Sequence, residues 1–188
     1  FDLCFVVAIA QVAARLHHAI AEHHVVAAIP AFLMVFFAIW WAWMNFTWFA
    51  SAYDTDDAPY RVNVLLQIAG VLAIAAGVPR AFDHSDFTLV TIGYTVLRIG
   101  MVIQWLRAAK NHPSCTTTSP TALRSDVRRQ LGWFFALFLP PGYWWIGALV
   151  LVPSELFVPA FAERAGATPW HPHHIAERYA LLTIIVLG

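Results

Sequence analysis

PAFLMVFFAIWWAWMNFTWFASA, residues 30 to 52, carries no charged side chain from end to end. A helix that crosses the hydrocarbon core of a bilayer needs about 20 mostly apolar residues at about 1.5 Å rise each, and this stretch supplies them. A soluble helical core can bury one such run. The rest of the chain repeats the pattern at residues 62–78, 87–106 and 131–152, with shorter runs at 1–16 and 174–188. So many apolar runs leave too few polar faces to cover them in water. The expected fold is an all-α polytopic transmembrane helix bundle of five to six spans. Residues 1–188 are expected to form one transmembrane helical domain, truncated at both ends since the first and last runs are incomplete.

Composition agrees. Hydrophobic residues make up 60% of the chain and charged residues 12%, against about 45–50% and about 25% in soluble domains. The formal net charge is +0, so nothing in the charge balance points to nucleic acid. Cys4 and Cys115 make no disulfide framework. The opening FDLCFVVAIAQVAARL lacks the basic n-region of a signal peptide.

Short-loop Lys and Arg set the expected orientation. Arg107, Lys110, Arg124, Arg128 and Arg129 cluster between the fourth and fifth runs, which places that loop in the cytoplasm. Alternation puts YDTDDAPYR inside as well, and puts HHAIAEHH, RAFDHSD and residues 153–172 outside. Every histidine except His112 then falls on the outer side. Clustered imidazoles bind metal or sense pH, with His171, His173 and His174 the metal candidates; exposed loop histidines commonly do neither. Trp48, Tyr53, Trp105, Trp133 and Trp170 stand near run ends, as interfacial aromatics do, whereas Trp40, Trp41 and Trp43 are expected to pack against neighbouring helices.

Charges inside a bilayer cost about 2.5–3.5 kcal/mol at the helix centre on insertion scales, so each needs a partner or a purpose. Arg98 lies mid-run behind Thr91 and Thr95 on one helical stripe. Asp2, at similar expected depth, is its candidate ion-pair partner, either to fix helix register or to take part in transport. Trp43, Thr47 and Ser51 recur every four residues and lead to Asp54, Asp56 and Asp57. Such a stripe lines an aqueous path or supplies hydrogen bonds between packed helices. Pro140, Pro141 and Gly142 interrupt the fifth run, as a plain kink or as a hinge of the broken-helix kind found in transporters. If Pro172 starts the last helix, His174, Glu177 and Arg178 share one face. There Glu177 pairs with Arg178 or His174, at the outer edge, as an anchor or as the mouth of an ion path.

Three segments, FDLCFVVAIAQVAARL, IWWAWMNFTWFASAYDTDD and HPHHIAERYALLTIIVLG, resemble in order the signatures of the bacterial low-temperature-requirement protein A family. The resemblance implies a multi-pass protein of the bacterial cytoplasmic (inner) membrane, of which this chain would be the N-terminal half. It also implies a Glu upstream of Phe1 and a Glu-Ser beyond Gly188, and it supplies no catalytic residues. Residues 1–9 and 180–188 align apolar against apolar, which would fit two five-helix repeats.

The leading functional expectation is a transporter or channel-like protein for protons, ions or a small solute. The alternative is a non-transporting membrane protein that supports the envelope or binds a partner in the cold. An intramembrane enzyme or metal-binding protein ranks third, because no nucleotide loop, Ser-His-Asp order or zinc spacing is present. No cofactor is expected, and the expected partner is the lipid bilayer.

Overall fold

The computed structural model describes residues 1–53, 56–111, 152–153, 156 and 172–187. Of the described residues, 92% are helical and none is in a strand. The helices are α1 (Asp2–Ala21), α2 (Val25–Ala52), α3 (Ala58–His84), α4 (Thr88–Asn111) and α5 (Pro172–Leu187). Four of them, α1 to α4, are long and apolar enough to cross a membrane, fewer than the five to six expected. Of the expected span at 131–152, all but Val152 lies outside the described residues. α5 is described over 16 residues.

The helices overrun the apolar runs because their ends are decided by caps and packing, to which hydropathy is blind. α2 begins five residues before Pro30. Pro30 lies inside the helix, past its first turn, and removes one i→i−4 hydrogen bond without ending it. Asp57 starts α3: its Oδ1 accepts the Tyr60 backbone N–H at 2.9 Å, and Pro59 stands in the first turn. The sequence places the end of this span near Val78, yet α3 runs through Pro79 to His84. Ala81, beyond the proline, is buried, so packing outweighs the lost hydrogen bond. The helix stops at Ser85, which is left-handed at φ 52°, and the Asp86 N–H donates to Arg80 O at 3.2 Å. The Asp86 carboxylate then accepts the Thr88 N–H at the start of α4.

α3 and α4 form the tightest pair, and glycine explains why. Buried residues on α3 recur as Asn63, Gln67, Gly70, Ile74, Gly77 and Ala81, and on α4 as Val90, Gly93, Leu97, Gly100 and Gln104. Alternating steps of three and four keep one seam facing its neighbour. A Cβ on Gly93 would stand 2.5 Å from Gly70 O and 2.9 Å from Ile74 N. The backbones therefore touch, as small residues permit between membrane helices.

α1 packs on α2, α3 and α5, and α2 packs on all four others. Arg15 of α1 joins Asp83 of α3 at 3.1 Å, so these two helices are parallel. The main core gathers Phe5, Val12, Val35, Ile39, Val71 and Ile74; a second cluster forms around Phe46, Phe49, Tyr53 and Met101. As expected, Trp41 and Trp43 are buried. Leu3, Val26, Val62 and Leu65 point outward at 64–79% exposure, which is costly in water and favourable against lipid chains.

Candidate functional site

The bundle has two ends. One carries Phe1, Tyr53, Asp57 and Arg107; the other carries Arg15, the α1–α2 turn and the α3–α4 turn.

At the Asp57 end, α1 and α2 are antiparallel, which brings the start of α1 against the last third of α2. The Trp43 indole Nε1 donates to Asp2 Oδ1 at 3.0 Å, and the Phe1 ring lies 3.7 Å from that of Phe46, centroid to centroid. α5 comes to the same place. Tyr179 meets Trp43 edge-on at 4.9 Å, and the Arg178 guanidinium carbon lies 6.0 Å above the Phe46 ring. Leu182, one turn on, packs against the main core and not against the cluster around Phe49 and Tyr53. α5 therefore runs antiparallel to α2 and starts at the Asp57 end.

This corrects the expected topology. His174, Glu177 and Arg178 were expected opposite the YDTDD segment; they share its end of the bundle. Apolar runs do not say which helix ends meet. The same arrangement sets α1 and α5 parallel on α2, with Asp2 and Tyr179 both touching Trp43.

The expected Asp2–Arg98 ion pair is not formed. Asp2 has its partner on α2, whereas Arg98, 8% exposed, belongs to α4, which packs on α3 and α2. Equal depth does not make two helices neighbours. On its own helix, Thr95 Oγ1 donates to Thr91 O at 2.8 Å, so the Thr91–Thr95–Arg98 stripe exists.

The stripe of α2 divides. Trp43 serves Asp2, Thr47 is fully buried with its Oγ1 unpartnered among the described residues, and Ser51 donates to Trp48 O. Asp54 lies outside the described residues. Asp56 and Asp57 do not converge on a cation: Asp56 takes Arg61 at 2.7 Å, and Asp57 takes Arg107 while capping α3. The Arg61 bond holds the Asp56 carboxyl below the usual carboxylate range; the Tyr60 N–H, then Arg107, do the same for Asp57.

α5 begins at Pro172, as the sequence predicts. Glu177 faces His173 Nδ1 at 3.4 Å and His174 Nδ1 at 3.5 Å. Arg178 instead turns inward, where its Nη1 is buried without a hydrogen-bond partner among the described residues. His171 lies outside the described residues, as do Pro140, Pro141 and Gly142. No three His, Cys, Asp or Glu side chains among the described residues converge to hold a metal.

Sequence reasoning missed Asn63, Gln67 and Gln104, all buried in the α3–α4 seam. Carboxamides carry no charge and lower hydropathy only locally. Their four-residue steps against Gly100 were the signal that would have found them.

The chain matches, over residues 1–188, the family described as Bacterial low temperature requirement A protein (LtrA). The chain belongs to this family. It is also similar to the uncharacterized protein RA0937 of Rhizobium meliloti (strain 1021), at 25% identity over 197 residues, covering 100% of this chain and 47% of that protein. The chain thus spans about half the length of the curated relative it matches. No solved structure matches. The LtrA resemblance rested on three separate segments, and residues from all three, Phe1 and Asp2, Trp43 and Phe46, and Arg178 and Tyr179, meet where α1, α2 and α5 pack together.

Proposed function

We propose that the chain is the N-terminal part of a transporter or channel-like protein of the bacterial cytoplasmic membrane that moves protons, ions or a small solute. The observation that carries this reading is the seat of Asp2. A protonatable carboxylate is held by an indole N–H at the meeting of α1, α2 and α5, with Arg178 over the adjacent Phe46. Ionisable groups inside membrane bundles commonly mark ion or proton paths. Trp43 supplies a single neutral donor, which orients the Asp2 side chain toward the junction of the three helices.

The full-length protein in proteoliposomes loaded with a pH-sensitive dye tests this. Flux above that of empty vesicles is expected under an imposed pH or ion gradient. Asp2→Asn and Arg178→Gln are expected to lose it while remaining monodisperse in detergent. Flux no greater than in empty vesicles, for protons, alkali cations and small solutes alike, overturns the reading. The ionic ties Asp57–Arg107 and Arg15–Asp83 favour the alternative, a protein that supports the envelope or binds a partner in the cold, since both fasten helix ends. That alternative predicts that Asp2→Asn still rescues the deletion phenotype.

A further inference from the structure

Away from Asp2, the α3–α4 seam holds a group of carboxamides. Asn63 and Gln67 stand one turn apart on α3; Gly100 and Gln104 stand one turn apart on α4. Asn63 Nδ2 donates to Gly100 O at 2.9 Å, tying the two pairs together. Gln67 lies over the space where Gly100 has no side chain: a Cβ there would stand 2.6 Å from Gln67 Cγ and 2.9 Å from its Nε2. Helical side chains lean toward the N-terminus of their own helix. Because α3 and α4 are antiparallel, Gln67 leans toward Asn63 and Gln104 leans back toward Gly100.

These amides are shut away. Gln67 is 1% exposed, Gln104 2% and Asn63 7%. Yet Asn63 Oδ1 and both amide atoms of Gln67 and of Gln104 have no hydrogen-bond partner among the described residues. Buried polar groups are normally satisfied, and the requirement is stricter where lipid replaces water. The donor set says what satisfies them. Three oxygens accept, two NH2 groups donate, and the amides carry no charge. A cation would meet amide hydrogens and an anion would meet amide oxygens, so a molecule that both donates and accepts fits best.

We propose that Asn63, Gln67 and Gln104 form an uncharged polar binding site inside the bundle for small neutral hydrogen-bonding molecules, a chemistry shared by water, small polyols and urea. The site lies on different helices from Asp2 and stands whether or not the protein transports.

The test uses the full-length protein in nanodiscs with 15N-labelled Asn and Gln. The two glutamine signals are assigned through Gln67→Leu and Gln104→Leu, and magnetisation transfer from water to the side-chain NH2 groups is read. Transfer to both glutamine amides is expected. Persistence of that transfer in added glycerol or urea identifies water as the occupant; its replacement by chemical-shift changes at the same amides identifies the solute. Gly100→Ala pushes a methyl group into Gln67 and is expected to abolish the response. If that variant does not fold, Asn63→Leu is expected to weaken it. Amides with neither water transfer nor solute-dependent shifts overturn the proposal, and so does an undiminished response in folded Gly100→Ala.

Discussion

Replacing the Trp43 indole with a phenyl ring keeps an aromatic side chain but removes the N–H that holds Asp2. A hydrogen bond to a charged group contributes about 1.5–3 kcal/mol. Trp43→Phe is therefore expected to lower stability by about that amount in denaturant titration of the purified protein. If Asp2 is the reason, the loss shrinks in an Asp2→Asn background, which a double-mutant cycle measures. At Asp57 the expectation concerns pH. Its folded carboxyl titrates below the ordinary range, as do those of Asp56, through Arg61, and Asp86, through Thr88. A depressed folded value means stability fully present above the unfolded carboxylate range and lost as pH falls through the folded one. The thermal midpoint should stay level near neutral pH and drop on acidification. Asp57→Asn, which keeps a capping side chain, should reduce the drop. Asp2 and Asp57 stood out in the sequence because a charge beside an apolar run is conspicuous. Their partners did not, because Trp43 and Arg107 lie 41 and 50 residues away.

Glycine decides matters for the α3–α4 pair. In an isolated helix, Gly→Ala gains about 1 kcal/mol. At Gly93 the new methyl would run into the Gly70 and Ile74 backbone, which has no flexible end to yield. Overpacking costs typically about 1–3 kcal/mol, so Gly93→Ala is expected to destabilise, and Gly77→Ala likewise against Val90 N. A rise in thermal midpoint for either variant would contradict the close approach. Hydropathy located α1 to α4 and the Pro172 start of α5, because lipid burial requires long apolar runs and proline marks a first turn. It placed the boundaries short: α3 passes through Pro79 on the strength of the seam, and seam residues are recognisable only once the partner helix is known.

Across the whole molecule, apolar runs reveal how many helices to expect and say nothing of which ends meet. That is why Glu177 joining Asp2 and Asp57 at one end was not legible, although every residue in the group was. Labelling with a membrane-impermeant thiol reagent in whole cells is expected to give the same sidedness for Cys at His173 as for Cys at Asp56, and the opposite for Cys at His18. Sidedness opposite between His173 and Asp56 would refute the antiparallel setting of α5 on α2. The backbone contact between Gly70 and Gly93 carries a mechanical implication. Two helices whose backbones touch at Gly70 and Gly93, with interlocked side chains on either side, cannot slide past each other without a large penalty, so α3 and α4 must travel as a single lever. Any rocking between states has its pivot where that lever meets α1 and α2, and a chemical staple replacing the Arg15–Asp83 contact would jam it.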